Sequence, residues 1–351
     1  MNLPSTHPGV PISYAATFYE FLKKKALAAD DIYAYAGIDL SRFNNPNEKV
    51  TIQQYICLSQ QGLIASNNPG LGLVFGAQIP LPAHNYLGFA LQSCSNGLQA
   101  NQLMCRYMSM RFPSLNIELI EEADHYTLVI QDWLDEPSLY LYNLEVVVAS
   151  IYKGALSLHH MDRLQRLSGD ETQVSEFDNI LEIQFEYPRP DHYSLYQETF
   201  PKQLMSFGHG QCRMLLKKEA MLRPFSFANS SSLQLAESLC VEELNNLEIN
   251  ETLSEKIYNL LLKSPMEFTG LDDMAMHLNV SSRALSRALH DEGSAYQKIA
   301  DTVKKQLAIQ GLKDSKQTIA QIAYQLGFEQ PTNFTRAFKK WTGQSPSAYR
   351  L

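Results

Sequence analysis

Two groups of side chains near the C-terminal end of the chain have the chemistry to hold DNA. One is Ser282, Arg283, Ser286 and Arg287; the other is Thr332, Asn333, Arg336, Lys339 and Lys340. With 3.6 residues per helical turn, each spacing gathers its residues on one broad helix face. A guanidinium is a planar fork of donors that matches the O6 and N7 acceptors of guanine in the major groove. Ser, Thr and Asn hydrogen-bond to bases or phosphates, and the ammonium of Lys suits phosphate. Lys304 stands between the two groups and is expected to add a further phosphate contact. A lone arginine on an exposed helix face is usually just a solvated charge, so the case rests on whether the surroundings repeat.

They do repeat. Thr252-Leu253-Ser254-Glu255 reads as a capping box, followed by the apolar stripe Leu253, Ile257, Leu260 and Leu261. Ser264-Pro265 ends that helix. A second is expected over Leu271 to Leu278, and Asn279 then suits the left-handed backbone of a tight turn. A third, Ser281 to about Asp291, is expected to bury Ala284, Leu285, Ala288 and Leu289 and to expose the first group together with His290. In the second copy, Thr318-Ile319-Ala320-Gln321 is another capping box, with Ile319, Ile322, Ala323 and Leu326 as its stripe. Gly327 takes the turn position of Asn279, and Pro331 suits the first turn of the next helix. That helix is expected to bury Phe334, Ala337, Phe338 and Trp341, and Ser345-Pro346 to cap a last short helix. A continuous helix from Ala295 to about Leu312 joins the copies. At 1.5 Å per residue its ~18 residues span roughly 27 Å, suited to recognition helices about one duplex turn, ~34 Å, apart.

The segments Ile319–Phe328, Asn333–Gly343, Ser345-Pro346 and Tyr349-Arg350 closely resemble the signature of AraC/XylS-type transcription regulators, and Leu278–Arg287 also resembles that family. The motifs cover about 100 residues. The resemblance implies that Ser282, Arg283, Ser286, Arg287, Thr332, Asn333 and Arg336 face DNA. Two departures are visible: Lys304 stands where an arginine is usual in the linker helix, and Ala288 where many members carry a larger or basic residue. Upstream, the Gly70–Leu73 stretch, the Pro80 and Pro82 pair, Tyr86–Leu91 and an acidic hairpin are similar to the arabinose-binding-type N-terminal domain of one AraC subgroup, over roughly Tyr14 to Leu216. That label implies effector binding and dimerisation without fixing the ligand as arabinose. It extends the expected partners to a small-molecule effector, a second copy of the chain and RNA polymerase.

The 351 residues exceed one ordinary domain. With 45% hydrophobic and 19% charged residues the chain has ample material for real cores. The net charge is −8, but it is uneven: from Glu251 onward 13 Lys and Arg face 10 Asp and Glu, a balance of +3, against −11 before it. An acidic body with a mildly basic tail fits a DNA-binding end. Residues 1–230 are expected to form an effector-binding or dimerisation domain, 231–250 a helical linker and 251–351 the DNA-binding domain. The fold class expected is α+β, then all-α with two helix-turn-helix units joined by a linker helix. In the first part, helices are expected over Tyr14–Ala29, Thr51–Ala65, Gly97–Met110, Leu139–Leu167 and Ser231–Leu247. Strands are expected over Leu115–Leu119, Tyr126–Asp132, Ile180–Phe185 and Arg213–Leu216.

No stretch approaches the ~20 apolar residues that cross a bilayer, and Met1–Pro11 does not read as a secretory signal. A cytoplasmic location with no membrane contact is therefore expected. The five cysteines are scattered, with no C-x-x-C pair, and the nine histidines show no metal spacing; no metal or cofactor is expected. No phosphate loop, nucleophile elbow or HExxH motif is present. An enzyme with a DNA-targeting tail would need an activated cysteine. Only Cys105-Arg106 and Cys212-Arg213 come near, and neither has a His or an acid beside it. Tyr86, Phe89, Tyr107, Phe112 and Trp133 are the candidates to line an effector pocket, although aromatics more often build the core. A ligand-responsive regulator and one whose N-terminal half only dimerises both remain open.

Overall fold

In a computed structural model of the chain, residues 9–45, 48–112, 114–132, 134, 136–166, 179–249, 252–266, 268, 270–313 and 317–350 are described. They divide into two units, Gly9–Leu247 and Glu248–Leu351, each with its own apolar cores.

The first unit starts with β1 (Val10–Pro11), α1 (Ile12–Lys24) and α2 (Ala29–Tyr35), and β1 pairs antiparallel with β2 (Lys49–Val50). The helix expected to reach Ala29 ends at Lys24, because Ala26 adopts φ 55°, a left-handed backbone that no helix continues through. Thr51 caps α3 (Ile52–Ser66) in a full capping box with Gln54. The Gly70–Leu73 stretch, legible in sequence only as a lead-in, begins α4 (Leu71–Gly76). A Cβ on Gly72 would lie 2.5 Å from the Tyr142 carbonyl oxygen, and one on Gly76 2.3 Å from that of Val146. Only glycine lets these two backbones meet. A 3-10 turn, Leu81–His84, leads into α5 (Asn85–Leu91), and α6 (Gly97–Arg111) follows.

The expected hairpin is β3 (Leu115–Glu121) with β4 (His125–Asp132), paired antiparallel from Leu115↔Asp132 to Glu121↔Tyr126. Then come α7 (Tyr140–Arg166), β5 (Ile180–Phe185), α8 (Tyr193–Thr199), β6 (Met205–Phe207), β7 (Cys212–Lys217), α9 (Lys218–Leu222) and α10 (Ser230–Ile249). The five strands form one sheet in the order β3-β4-β7-β5-β6, antiparallel except for the parallel β5–β6 edge. Strand β7 alternates with period two: Cys212, Met214 and Leu216 are buried. They join Leu128 and Ile130 of β4, Leu103 and Tyr107 of α6, and Val148 and Tyr152 of α7 in one core. Helix α10, the expected linker, buries Leu233, Ala236 and Cys240 in that same core.

Every element of the second unit among its described residues is a helix: α11 (Leu253–Lys263), α12 (Leu271–His277), α13 (Ser282–Asp291), α14 (Tyr296–Lys313), α15 (Ile319–Gln325), α16 (Pro331–Thr342) and α17 (Pro346–Arg350). The N-terminal half of α14 packs Ile299, Ala300 and Val303 with Ile257, Leu261, Met274, Leu285 and Leu289. Its C-terminal half packs Ala308 and Leu312 with Ile322, Leu326, Phe334 and Phe338. The first α14 cluster is closed by a hydrogen bond between the Tyr258 hydroxyl and Gln306.

Candidate nucleic-acid interface

The first exposed face is set by the turn between α12 and α13. Asn279 adopts φ 56° there. Ser281 then caps α13, its hydroxyl accepting from the Ala284 N–H at 3.2 Å. Leu285 and Leu289 anchor the helix and leave Arg283, Ser286, Arg287 and His290 exposed. Ala284, expected inside, is exposed too: the inward sector of this short helix is filled by the two leucines, with Ala288 at its edge. Ser282 is half-buried, and its hydroxyl bonds to the Asp272 carboxylate, stitching the start of α13 to α12.

The second face follows the same construction. Thr318 and Gln321 close a capping box on α15, Gly327 turns the chain at φ 76°, and Pro331 opens α16. Phe334 and Phe338 are fully buried beneath α16. Thr332, Asn333, Arg336, Lys339 and Lys340 are exposed, and an Arg336 Nη2 donates to the Asn333 carboxamide oxygen at 3.2 Å. Trp341 and Ala337, both expected inside, are half-buried, Trp341 with its ring 6.1 Å from that of Phe328. Gly343 ends α16 at φ 80°, donating to the Lys339 carbonyl at 2.9 Å.

Lys304 is not on either face. Its ammonium lies 5.0 Å from the centroid of the Phe328 ring, and partial burial lowers its pKa while Asp301 pulls the other way. The side chain thus braces α14 against the loop that precedes α16. Sequence reasoning also missed Glu292. Its carboxylate accepts from the backbone N–H of Leu253 (2.9 Å) and of Ser254 (2.8 Å), and from the Ser254 hydroxyl (2.5 Å). It therefore satisfies the open N-terminus of α11 and ties the end of α13 to it. No local signal reveals this, because the partners are 38 and 39 residues apart.

The aromatic candidates for an effector pocket are not brought together. Tyr107 is a core residue, Phe112 packs on Tyr14 and Tyr55 at ring separations of 4.8 and 5.8 Å, and Tyr86 and Phe89 are exposed on α5. Trp133 lies outside the described residues. A cleft of about 70 Å³ does open in this unit, but its lining includes Leu81, His84, Asn101, Met104 and Gly154 and none of those four rings. The thiol chemistry of a DNA-directed alkyl-transfer enzyme finds no support at Cys105, whose thiol burial pushes up to about 12. Among the described residues no helix is long and apolar enough to cross a membrane, and no cluster of His, Cys, Asp and Glu could hold a metal ion.

A mixed α/β unit followed by a helical unit with exposed arginine-bearing helices after tight turns defines a DNA-binding transcription regulator. Residues 27–225 match the arabinose-binding domain of AraC transcription regulators, and residues 274–351 match a helix-turn-helix domain. The chain belongs to the AraC-type regulator family. It is 28% identical over 341 residues to the ornithine utilization regulator of Pseudomonas aeruginosa, covering 97% of this chain and 96% of that one. It is 32% identical over 130 residues to the transcriptional regulator VqsM of the same organism, covering 36% of this chain and 40% of that one. The crystal structure of the regulator CdpR from Pseudomonas aeruginosa aligns with a TM-score of 0.41 at 21% identity, over 92% of this chain and 96% of that one.

Proposed function

We propose that the chain reads a promoter site with two helix-turn-helix units, α12–α13 and α15–α16, joined by the linker helix α14. The observation that carries this is the repeated construction: in each copy a left-handed turn residue, Asn279 or Gly327, precedes a helix that buries two large apolar residues and exposes a cationic, hydrogen-bonding face. Arg283, Ser286, Arg287, Asn333 and Arg336 select bases; Thr332, Lys339 and Lys340 bind phosphate. Ser282 orients the first reading helix through Asp272, and Lys304 braces the second half. Residues 1–230 sense a small-molecule effector and dimerise, residues 231–250 connect, and residues 251–351 bind DNA as part of a homodimer that engages RNA polymerase. A relative named for ornithine utilization supports a metabolite-responsive reading.

The test is Arg287→Ala, measured against a duplex selected from a random library and against random duplex. A base-reading arginine should cost about 1–3 kcal/mol on the selected site and clearly less on random DNA. An equal loss on both would make Arg287 a phosphate contact and remove it from the base-reading set.

A further inference from the structure

Helices α6 and α7 face each other across the cleft of about 70 Å³, with the Leu81–His84 turn completing its wall. The gap exists because α7 presents Ser150, Gly154 and Ala155 there, where larger side chains would fill it. Protein interiors otherwise pack at the density of organic crystals, so an unfilled apolar gap forfeits dispersion attraction. Gly154 is the more telling residue. It sits inside a 27-residue helix, where glycine is unfavourable, yet no neighbouring backbone demands it. An added Cβ would meet only the Leu81 Cδ2, at an ordinary 3.4 Å.

The lining is largely hydrocarbon, with polar groups from His84, Asn101 and Ser150. His84 is 8% exposed, and its Nδ1 is 2.6 Å from the Tyr14 hydroxyl, which fixes the ring. Asn101 Nδ2 donates to the Gly97 carbonyl at 2.8 Å and to the Met221 sulfur at 3.6 Å, which holds the carboxamide in place. An apolar cleft with few polar groups is the usual form of a small-molecule site, and the little polar surface here can meet at most one polar group of a ligand. None of the residues lining the cleft is Lys, Arg, Asp or Glu. An ammonium entering it would shed its hydration without meeting an anionic side chain, and a carboxylate would meet only the His84 imidazole, whose Nδ1 the Tyr14 hydroxyl already engages. The volume is roughly half that of a cavity known to hold benzene, and the flexible thioethers of Met104 and Met108 let the wall adjust.

We propose that this cleft between α6 and α7 is the effector site, and that it takes a small neutral organic molecule, a short hydrocarbon bearing one amide or hydroxyl group. The proposal rests on the sensing reading above and narrows it to a ligand class.

The experiment uses the full chain labelled with ¹³C at the methionine ε-methyl groups, with Met104 and Met108 assigned by Met→Leu variants. It is titrated separately with n-butyramide, butyrate and L-ornithine. Butyramide should shift the Met104 and Met108 methyls saturably, while Met214 in the sheet stays still; butyrate and L-ornithine should give no saturable shift. Gly154→Leu should fill the cleft and raise the butyramide midpoint about tenfold or more. Gly154→Ala should keep the fold and weaken the response only partly. An unchanged Met214 resonance shows that either variant is folded. Absence of a saturable shift with butyramide, or an undiminished response in Gly154→Leu, overturns the site; an equal response to butyrate overturns the neutral class. Affinity for a selected DNA site, measured with and without butyramide, separates the two readings. Methyl shifts with unchanged DNA affinity would refute sensing while leaving the binding site standing.

Discussion

Replacing Lys339 and Lys340 together by alanine tests the electrostatic share of DNA binding. Both lysines are exposed in the last turn of α16, and Phe334 and Phe338 beneath them are fully buried, so the helix is held independently of their charge. Each phosphate a protein neutralises releases condensed counterions and contributes about 0.9 to the slope of log affinity against log salt. Removing the two ammonium groups proposed to bind phosphate should therefore lower the slope by about 1.8. Over a fourfold rise in salt, from about 50 to 200 mM, the native protein should lose about 12 times more affinity than the variant does. The assay is fluorescence anisotropy on a selected duplex and on random duplex across that salt range. The drop in slope should be the same on both, because binding to phosphate carries no sequence information. Cations near a helix C-terminus also stabilise it by about 0.3–1 kcal/mol, so a small fall in melting temperature should accompany the effect. An unchanged slope would show that neither lysine touches phosphate. A loss confined to the selected duplex would assign them to base reading instead.

Two further outcomes follow from the backbone and from a buried acid. Gly327→Ala has room, since its Cβ would meet only the Met266 sulfur at 3.9 Å, but it must hold φ 76°. It should cost about 1–2 kcal/mol, read from the fluorescence of Trp341 during thermal unfolding, and Gly327→Asn should recover part of that, as Asn279 does at φ 56°; equal losses for Ala and Asn would remove backbone strain as the cause. Glu145 is wholly buried, and that burial raises its carboxyl pKa even though His192 at 2.5 Å and the Tyr196 hydroxyl at 2.8 Å favour the charged form. The unfolded chain gives up this proton first, so the stabilising contribution is complete below the unfolded pKa of about 4.3 and is lost as pH rises through the folded value. Glu145→Gln should flatten the decline of stability above about pH 4.3; a decline as steep as that of the native protein would exclude Glu145 as its source.

Residues 252–350 show what could be read directly. The capping boxes at Thr252 and Thr318, the turn residues Asn279 and Gly327, and the buried Leu285, Leu289, Phe334 and Phe338 all follow local rules, and each is found in place. The hairpin of β3 and β4, the strand Ile180–Phe185 and the span of α3 were legible for the same reason. The short helices α4, α5 and α8 of the first unit were not: six or seven residues show too little of a period, and no side-chain cap marks their starts as Thr318 marks the equally short α15.

The sequence by itself determined the helices of the second unit, their caps and turns, and the side chains they expose apart from Ser282 and Ala284, because capping, periodicity and positive φ are properties of neighbouring residues. Only the tertiary structure decided the sheet order β3-β4-β7-β5-β6, which sets residues as distant as His125 and Lys217 side by side. It also decided that Lys304 lies on Phe328, that Glu292 caps α11, and that a small-residue face of α7 opposite α6 leaves a cleft where the aromatic candidates do not. Each of these depends on which elements the folded core brings together. Packing between chain-distant surfaces leaves no period along one chain, and so it becomes visible only when the surfaces meet.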